Sequence, residues 1–245
     1  MSGLLELTGL WAGYEGGDVL RDLNLSVPEG QVTCIVGPNG SGKSTILRVV
    51  SGQLKPRLGT VEFAGKTLKG LTPAEILARG VVQVAQSNSL FPSMTVRENV
   101  VLGGYLVKDR SLLERRLREV EQLFPIVHDR HGEKAGSLSG GQQRQVEFAR
   151  CLMLDPKLVV LDEPSMGLEP RMLRLVMKTV RAMREAGRTV LLVEQNVRTG
   201  LAVADQAVVV EGGHVRLRGT GSEVLNNPEI GQLYLGGSTA PVRLR

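Results

Sequence analysis

The sequence predicts an α/β fold built around a mostly parallel sheet. Three apolar runs, Val32–Val36, Leu158–Leu161 and Thr189–Val193, lack the alternation of a one-sided strand and are typical of strands buried on both faces. The helical segments Lys43–Leu54 and Arg171–Ala186 follow the first and the second run. Strands that alternate with helices pair in parallel, because each helix returns the chain to the start of the next strand.

Shorter segments indicate antiparallel strands near both ends of the chain. They are Leu4–Leu10, Asn24–Val27 and Thr60–Phe63 in the N-terminal part, and a hairpin of Gln206–Val210 with Val215–Arg218 further on. A turn is expected at Pro28–Gly30. The sequence therefore predicts an N-terminal antiparallel β subdomain beside the parallel sheet.

The segment Met94–Glu133 has a different character, because its pattern is helical and rich in charge. Leu113, Leu117, Val120 and Phe124 recur at helical spacing and predict one buried face. An α-helical subdomain is therefore expected as an insertion in the core.

Composition permits a substantial core and says little about partners. The 245 residues are 42% hydrophobic, and 30 Lys and Arg against 25 Asp and Glu give a formal net charge of +5. Positive charge permits nucleic acid or an anionic membrane as a partner. Because this excess is spread over the whole chain, it is typical of a solvated surface, and no nucleic-acid partner is expected.

The sequence carries no signal for secretion or membrane insertion. No run of 18 apolar residues occurs, and Met1–Leu10 lacks the basic start and long apolar stretch of a signal peptide. Cys34 and Cys151 lack the spacing of metal ligands. They are expected to be free, buried thiols in a reducing compartment.

A glycine-rich motif follows the first predicted strand. Its sequence, GPNGSGKS, fits G-x-x-x-x-G-K-[ST], a loop whose backbone N–H groups cradle the phosphates of a nucleotide. We expect Lys43 to reach the terminal phosphates and Ser44 to ligate Mg²⁺. The candidate nucleotide-binding residues are Gly37, Pro38, Asn39, Gly40, Ser41, Gly42, Lys43, Ser44 and Thr45. This motif alone indicates only a nucleotide.

A second glycine-rich turn, LSGGQ, lies at Leu138–Gln142 ahead of a predicted helix. A helix that begins on such a turn is another site for an anion. One nucleotide has no use for two such sites in one chain, whereas two chains facing each other would share them. The candidate residues here are Ser139, Gly140, Gly141 and Gln142.

These motifs, followed by Asp162 and Glu163 after an apolar run, resemble those of the ATP-binding cassette (ABC) ATPases, whose signature sequence is LSGGQ. The resemblance implies a P-loop NTPase core, and ATP held between the glycine-rich loop of one cassette and the signature of a second, packed head to tail. It also implies one ABC ATPase domain over residues 1–245. Within it we expect a nucleotide-binding core at 1–86 and 154–235, a helical subdomain at 87–153 and a flexible tail at 236–245.

The resemblance also assigns roles near the phosphates. Asp162 would hold Mg²⁺ through its hydration shell, and Glu163 would polarise the attacking water, although such a pair can also merely cap a strand. Gln86 matches the family glutamine whose amide oxygen reaches Mg²⁺ and the attacking water, whereas a lone glutamine is usually a surface residue. Asp162 and Gln86 therefore join Ser44 as candidate metal ligands.

One aromatic residue is expected to stack on adenine. Tyr14 lies where the family places this ring, Trp11 is the competing candidate, and core packing is the alternative for either. Ser165–Glu169 corresponds to the family's D-loop, which normally ends in Asp and here ends in Glu. This departure is mild, since the longer side chain can still reach across an interface.

A larger departure lies at Gln195, where most ABC ATPases place a histidine that contacts the γ-phosphate and the catalytic glutamate. The histidines of this chain are His128, His131 and His214, and none lies at the end of that strand. An amide can donate a hydrogen bond but carries no positive charge. Either Gln195 performs a reduced catalytic role or hydrolysis depends on a partner.

The segments LDEPSMGL, LLVEQNVR and LYLGG resemble the ATPase subunit of branched-chain amino-acid uptake systems of the LivF type, whose relatives also serve urea and short amides. The resemblance implies a second, different ATPase subunit, two membrane-spanning permease subunits and a substrate-binding protein. It places this chain peripherally on the cytoplasmic face of the cell (inner) membrane. We expect the permease loops to dock on apolar residues after Gln86, among them Leu90, Phe91 and Met94.

Two alternatives stay open at this point. Lipopolysaccharide-export ATPases also resemble this branch, although the pattern at Gln195 favours uptake. A soluble ABC ATPase that acts on nucleic acid or ribosomes belongs to a different class, and such proteins usually carry long coiled coils or fused cassettes. Neither feature occurs in this sequence.

Overall fold

The computed structural model of the chain describes residues 3–84 and 89–230, which form two sheets and the helices around them. The strands are β1 (Leu5–Tyr14), β2 (Gly17–Val27), β3 (Val32–Val36), β4 (Leu58–Phe63), β5 (Lys66–Thr67), β6 (Val81–Val84), β7 (Leu158–Asp162), β8 (Thr189–Glu194), β9 (Gln206–Glu211) and β10 (His214–Gly219). The helices are α1 (Lys43–Val50), α2 (Pro73–Ala78), α3 (Val96–Leu102), α4 (Arg110–Leu123), α5 (Pro125–Asp129), α6 (Gly140–Leu152), α7 (Pro170–Glu185), α8 (Val197–Leu201) and α9 (Gly221–Leu225). Gln86 and the predicted tail at 236–245 lie outside the described residues.

The larger sheet has the strand order β10-β9-β3-β8-β7-β6, and each neighbouring pair except β10 with β9 is parallel. This confirms the prediction of a mostly parallel sheet. β3 has its predicted bounds, whereas β7 and β8 each extend one residue further, to Asp162 and Glu194. The glycine-rich loop therefore leaves β3 in the middle of the edge where the parallel strands end, which we call the carboxyl edge.

The smaller sheet is antiparallel, with the order β2-β1-β4-β5, as the sequence predicts. Its first strand runs to Tyr14 rather than ending at Leu10. The pairing of β1 with β2 shifts register between Leu7 and Leu10 and again beyond it, and Gly9 has a left-handed φ of +56°. Such bulges interrupt the alternation of apolar and polar residues, so the prediction ended the strand too early.

The larger sheet is covered on both faces, which explains the unbroken apolar runs in its strands. Ile35 of β3 faces a core shared with α1 and the antiparallel sheet. Cys34 and Val36 face a second core that includes residues of α6 and α7. Alternate residues of one strand thus enter two different cores.

The helices differ from the sequence prediction mainly in length. α1 ends at Val50 rather than Leu54, because Gly52 has a φ of +74° and the Leu54 amide turns back to donate to the Arg48 carbonyl at 3.0 Å. α7 begins on Pro170, a residue favoured in the first turn of a helix.

The helical insertion lies between β6 and β7, as predicted, but it is divided into several helices. Thr95 and Asp109 accept hydrogen bonds from amides of the following turn and so begin α3 and α4. Leu117 and Val120 on the predicted face are buried. No helix in the described ranges is both long and apolar enough to cross a membrane.

Candidate nucleotide-binding and hydrolysis site

The glycine-rich loop joins β3 to α1 at the carboxyl edge. Gly40 and Gly42 have φ values of +78° and +106°, in a region that side chains disfavour. Gly42 precedes α1, and the Ile46 amide closes the first turn on the Gly42 carbonyl at 3.0 Å. The earlier amides of the helix have no intrahelical acceptor, so the loop and the positive end of the helix dipole present donors to an anion.

Two further features of the loop fit a phosphate ligand. A Cβ on Gly37 would lie 2.2 Å from the Val210 carbonyl oxygen and 2.6 Å from the Ser41 hydroxyl, so only glycine fits there. The buried Ser41 hydroxyl has no hydrogen-bond partner among the described residues. A buried donor without an acceptor is destabilising, and a phosphate oxygen would satisfy it.

Lys43 extends back over the loop that precedes it. Its ammonium group donates to the carbonyl oxygens of Gly37 at 2.8 Å and Pro38 at 3.0 Å, and the residue is buried. Burial lowers the pKa of Lys43, while the charges of Glu163 and Asp162 oppose this shift. The ammonium therefore lies against the loop and interacts electrostatically with these two carboxylates, and it can neutralise phosphate charge there.

Ser44 and Asp162 meet across the gap between α1 and β7. The Ser44 hydroxyl donates to Asp162 Oδ1 at 3.5 Å. Burial and the neighbouring Glu163 charge raise the pKa of Asp162, while Ser44 and nearby cations lower it. A hydroxyl and a carboxylate are the oxygen donors that Mg²⁺ prefers, and a cation would relieve the repulsion between the two carboxylates, so these residues fit a magnesium ion.

Glu163 has an uncommon backbone conformation for a residue with a side chain. Its φ is +42°, and two backbone hydrogen bonds hold it, from its own amide to the Val193 carbonyl at 2.9 Å and from the Met166 amide to its carbonyl at 3.1 Å. Backbone strain of this kind persists where the surrounding structure fixes it, and it clusters at functional sites. The strain places the Glu163 carboxylate beside the glycine-rich loop.

These groups surround one cleft of about 440 Å³. The cleft is lined by Tyr14, Val19, Asn39, Gly40, Gly42, Lys43, Ser44, Thr45 and Glu163. Tyr14 is half exposed, and its hydroxyl accepts a hydrogen bond from Arg48 at 2.8 Å. Trp11 is not among the lining residues and lies beside Arg57 instead, which favours Tyr14 as the adenine-binding ring.

The signature residues line a different cleft, of about 800 Å³, together with residues of α7. Ser139 precedes α6 and its amide donates to the Gln142 side chain at 3.0 Å, while Gly140 is exposed. A Cβ on Gly141 would lie 1.7 Å from the Met172 methyl group, so the signature helix packs directly on α7. The phosphate loop and the signature therefore face separate clefts of this chain.

Comparison with known proteins decides the family. Residues 20–166, more than half of the chain, match the family model described as ABC transporter. The chain belongs to the ABC transporter family. Its activity is accordingly ATP hydrolysis coupled to transport, carried out by an ATP-binding cassette.

Two relatives and one solved structure are similar to this ABC ATPase over most of its length. It is 36% identical to the high-affinity branched-chain amino acid transport ATP-binding protein BraG of Pseudomonas aeruginosa, over 89% of this chain and 93% of that protein. It is 33% identical to the lipopolysaccharide export system ATP-binding protein LptB of Escherichia coli, over 91% of this chain and 93% of that protein. The crystal structure of the ADP conformation of an ATP-binding cassette has a TM-score of 0.87 and 30% identity, over 96% of this chain and all of that one.

Two of the remaining predicted residues, Gln195 and Glu169, lie in the described part of the chain. Gln195 is exposed at the end of β8 and does not line the cleft that holds Tyr14 and Glu163. Glu169 precedes α7, directly before Pro170. Gln86 lies outside the described residues, so its predicted role stays a prediction.

Sequence reasoning missed a set of charged residues on α6 that hold Ser89 in place. Glu147 Oε1 accepts from the Ser89 amide at 2.8 Å and from its hydroxyl at 3.1 Å, and Arg150 donates to the Ser89 carbonyl and hydroxyl at 2.6 Å each. Glu147 also forms a buried ion pair with Arg144 at 2.7 Å. A charged pair three residues apart on the apolar face of a helix was the available signal.

Proposed function

We propose that this ABC ATPase powers an importer of branched-chain or other amino acids. The likeness to BraG and the glutamine at Gln195, which the sequence shares with the amino-acid uptake pattern, support import. The likeness to LptB supports lipopolysaccharide export as the second candidate, and urea or short amides are alternative cargoes for an importer. Since no residue of a peripheral ATPase contacts the cargo, the proposal is tested on the assembled transporter.

The observation that carries the proposed hydrolysis is one cleft that Lys43, Ser44 and Glu163 line together with the phosphate loop, with Asp162 hydrogen-bonded to Ser44. The loop amides and Lys43 bind the β- and γ-phosphates and neutralise their charge. Ser44 and Asp162 would hold Mg²⁺, which when bound would offset the charge of the phosphates. Tyr14 stacks on adenine and fixes the other end of the nucleotide.

Glu163 performs the proton transfer in this scheme. Its carboxylate orients a water molecule in line with the γ-phosphorus and accepts the proton as the new oxygen–phosphorus bond forms and the bond to the ADP oxygen breaks. Gln195 and Gln86 support this step from the neighbouring segments, Gln195 by donating a hydrogen bond to the γ-phosphate. The products are ADP and inorganic phosphate.

A second ABC ATPase subunit completes the site in this proposal. Ser139 and the glycine amides of one cassette reach the γ-phosphate held by the phosphate loop of the other, in a head-to-tail pair that we expect to be a heterodimer. The separation of the two clefts within one chain supports such pairing, because each cleft then supplies half of a shared site.

The permease subunits dock on the helical subdomain, at the cytoplasmic face of the inner membrane. Phe91, Leu102, Tyr105 and Leu106 expose between 40% and 63% of their surface, which is unusual for large apolar side chains. Leu90, also among the residues predicted for docking, is partly buried and packs against the core. Among Leu90, Phe91 and Met94, the apolar residues named for docking, Phe91 is the exposed one.

The test is reconstitution of the ABC ATPase in proteoliposomes with its co-purifying permease subunits. We expect hydrolysis of external ATP, by vesicles whose ATPase faces outward, to rise when the cognate binding protein and a branched-chain amino acid are enclosed in the lumen. Labelled amino acid should then leave the lumen, because an importer moves its cargo towards the ATPase side. A matched preparation with Glu163→Gln should show neither effect. Stimulation by lipopolysaccharide and indifference to every amino acid would reject import and favour the export alternative.

A further inference from the structure

Arg48 connects two parts of the proposed nucleotide site that are distant in sequence. It lies in the last turn of α1, one helical turn after Ser44, and its Nη1 donates to the Tyr14 hydroxyl at 2.8 Å. The guanidinium carbon lies 5.7 Å from the centroid of the Tyr14 ring. The same side chain thus makes a hydrogen bond and a cation–π contact with one aromatic residue.

The contact between Arg48 and Tyr14 would favour nucleotide binding if the Tyr14 ring stacks on a base. Tyr14 is the last residue of β1, directly before the hairpin turn, and its ring is 48% exposed. A half-exposed ring at a strand end has rotational freedom that stacking must remove, and that loss weakens binding. A donor fixed to a helix of the nucleotide site removes part of this freedom in advance and leaves much of the ring accessible.

The chain contains a matched pair of contacts for comparison. Arg57 lies 5.9 Å from the centroid of the Trp11 ring, almost the same distance as Arg48 from Tyr14. Neither Arg57 nor Trp11 lines the cleft that holds the phosphate loop. Arg57 also forms an ion pair with Asp18, so a general effect of a surface arginine on stability would be at least as large there, whereas a role in nucleotide binding is confined to Arg48.

We propose that Arg48 is a positioning residue for adenine, which holds the Tyr14 ring in the orientation that stacks on the base. This inference rests on the proposed role of Tyr14. It is distinct from direct recognition of phosphate, because a positioning residue for the ring changes affinity only for ligands that carry a base.

The experiment compares two ligands of the full-length protein by isothermal titration calorimetry in the presence of Mg²⁺. ATP carries the base, and inorganic tripolyphosphate carries only the phosphates. We expect Arg48→Met to weaken ATP binding about three- to tenfold, as loss of one hydrogen bond and one cation–π contact allows. Tripolyphosphate binding should be unchanged, Arg48→Lys should recover part of the loss, and the control Arg57→Met should alter neither ligand.

The effects of Arg48 and Tyr14 should also depend on each other. Tyr14→Phe removes the acceptor hydroxyl, so the double variant should bind ATP no more weakly than Arg48→Met alone, which is the non-additivity expected of contacting residues. Thermal unfolding of each variant confirms that the fold is retained.

Three outcomes would overturn the inference in distinguishable ways. Equal weakening of ATP and tripolyphosphate by Arg48→Met would assign Arg48 to the phosphates. If Tyr14→Ala lowers the preference for ATP over tripolyphosphate and Arg48→Met does not, the positioning role is wrong while the role of Tyr14 stands. If Tyr14→Ala also leaves the preference unchanged, the proposed adenine site itself is wrong.

Discussion

The Ser165 hydroxyl donates to Oε2 of the buried Glu194 at 2.6 Å, and the Ser165 amide donates to Oε1 at 3.2 Å. Ser165 follows Glu163 by two residues, and Glu194 directly precedes Gln195. The loop that carries Glu163, the proposed base, is therefore hydrogen-bonded to the end of β8, directly before Gln195, which is proposed to donate a hydrogen bond to the γ-phosphate. A shift at either segment displaces the other.

Ser165→Ala should reduce both stability and turnover. The variant leaves a buried carboxylate oxygen without its hydroxyl donor, which costs about 1–3 kcal/mol of unfolding free energy. The loosened loop should lower kcat for ATP hydrolysis while the Kd for ATP stays unchanged, since the phosphate loop is not touched. Urea unfolding and steady-state kinetics measure the two effects, and Ser93→Ala, at an exposed serine, is the control. Unchanged kcat would show that the bond is only structural.

Glu194→Gln should change the pH dependence of stability. Burial raises the pKa of Glu194 above its ordinary value of 4.5, so the folded state binds a proton more tightly than the unfolded state does. The contribution of this group to stability is therefore largest at low pH and is lost as pH rises from about 4.5 through the folded pKa. The unfolding free energy of the variant, relative to wild type, should rise over this window. A difference independent of pH would contradict the assignment.

Glu163→Gln should keep nucleotide binding and stop hydrolysis, because an amide cannot accept the proton of the attacking water. ATP would then persist between two cassettes, and association should require both ATP and Mg²⁺. Size-exclusion chromatography with light scattering measures association, with and without the heteromeric partner. Undiminished hydrolysis in this variant would show that Glu163 is not the base that accepts the proton.

Leu90 and Phe91, adjacent residues of the predicted docking segment, allow a matched pair of substitutions. Phe91→Glu places charge on a side chain that is 49% exposed, so the protein should fold and bind ATP but fail to assemble with the permease subunits. Leu90→Glu places charge on a side chain packed against the core, and it should lower the thermal transition instead. Co-purification and thermal unfolding separate the two. Normal assembly of Phe91→Glu would move the docking surface elsewhere.

Gln195→Ala should slow hydrolysis about tenfold to a hundredfold, since a hydrogen bond to a charged acceptor contributes about 1.5–3 kcal/mol. Gln195→His should retain or raise the rate, because histidine restores a donor. The exposed histidines His128, His131 and His214 should each tolerate alanine without loss. Steady-state rates with the natural partner provide the measurement, and a wild-type rate for Gln195→Ala would mean that the partner's site performs hydrolysis.

Sequence patterns predicted the parts of the fold in which one local signal dominates. The run Val32–Val36 is apolar except for Thr33 because the strand is buried on both faces, and its bounds were predicted without error. The extent of β1 was not predictable in this way, because the bulges near Gly9 depend on its pairing with β2. Local periodicity carries no information on such cross-strand geometry.

The same distinction between local and long-range signals applies to the residues of the site. Lys43 and Ser44 belong to one contiguous motif and line one cleft, and Asp162 of a second motif is hydrogen-bonded to Ser44. The contacts of Glu194 and Arg48 were not predicted, because their partners, Ser165 and Tyr14, are 29 and 34 residues away in the chain. A contact between residues at such separations becomes visible only once the sheet brings the segments together.

The contact of Gly141 with Met172 bears on how changes in the signature are interpreted. Any side chain at position 141 would collide with Met172 in the first turn of α7, within the same molecule. Loss of function in Gly141→Ala therefore does not by itself report a lost contact with nucleotide, because the Met172 side chain that must shift lines the same cleft. Combining Gly141→Ala with Met172→Ala makes room for the added methyl group. Recovery of function in the double variant would assign the loss to a steric clash within one cassette, whereas continued loss would assign it to contact with the nucleotide between two cassettes.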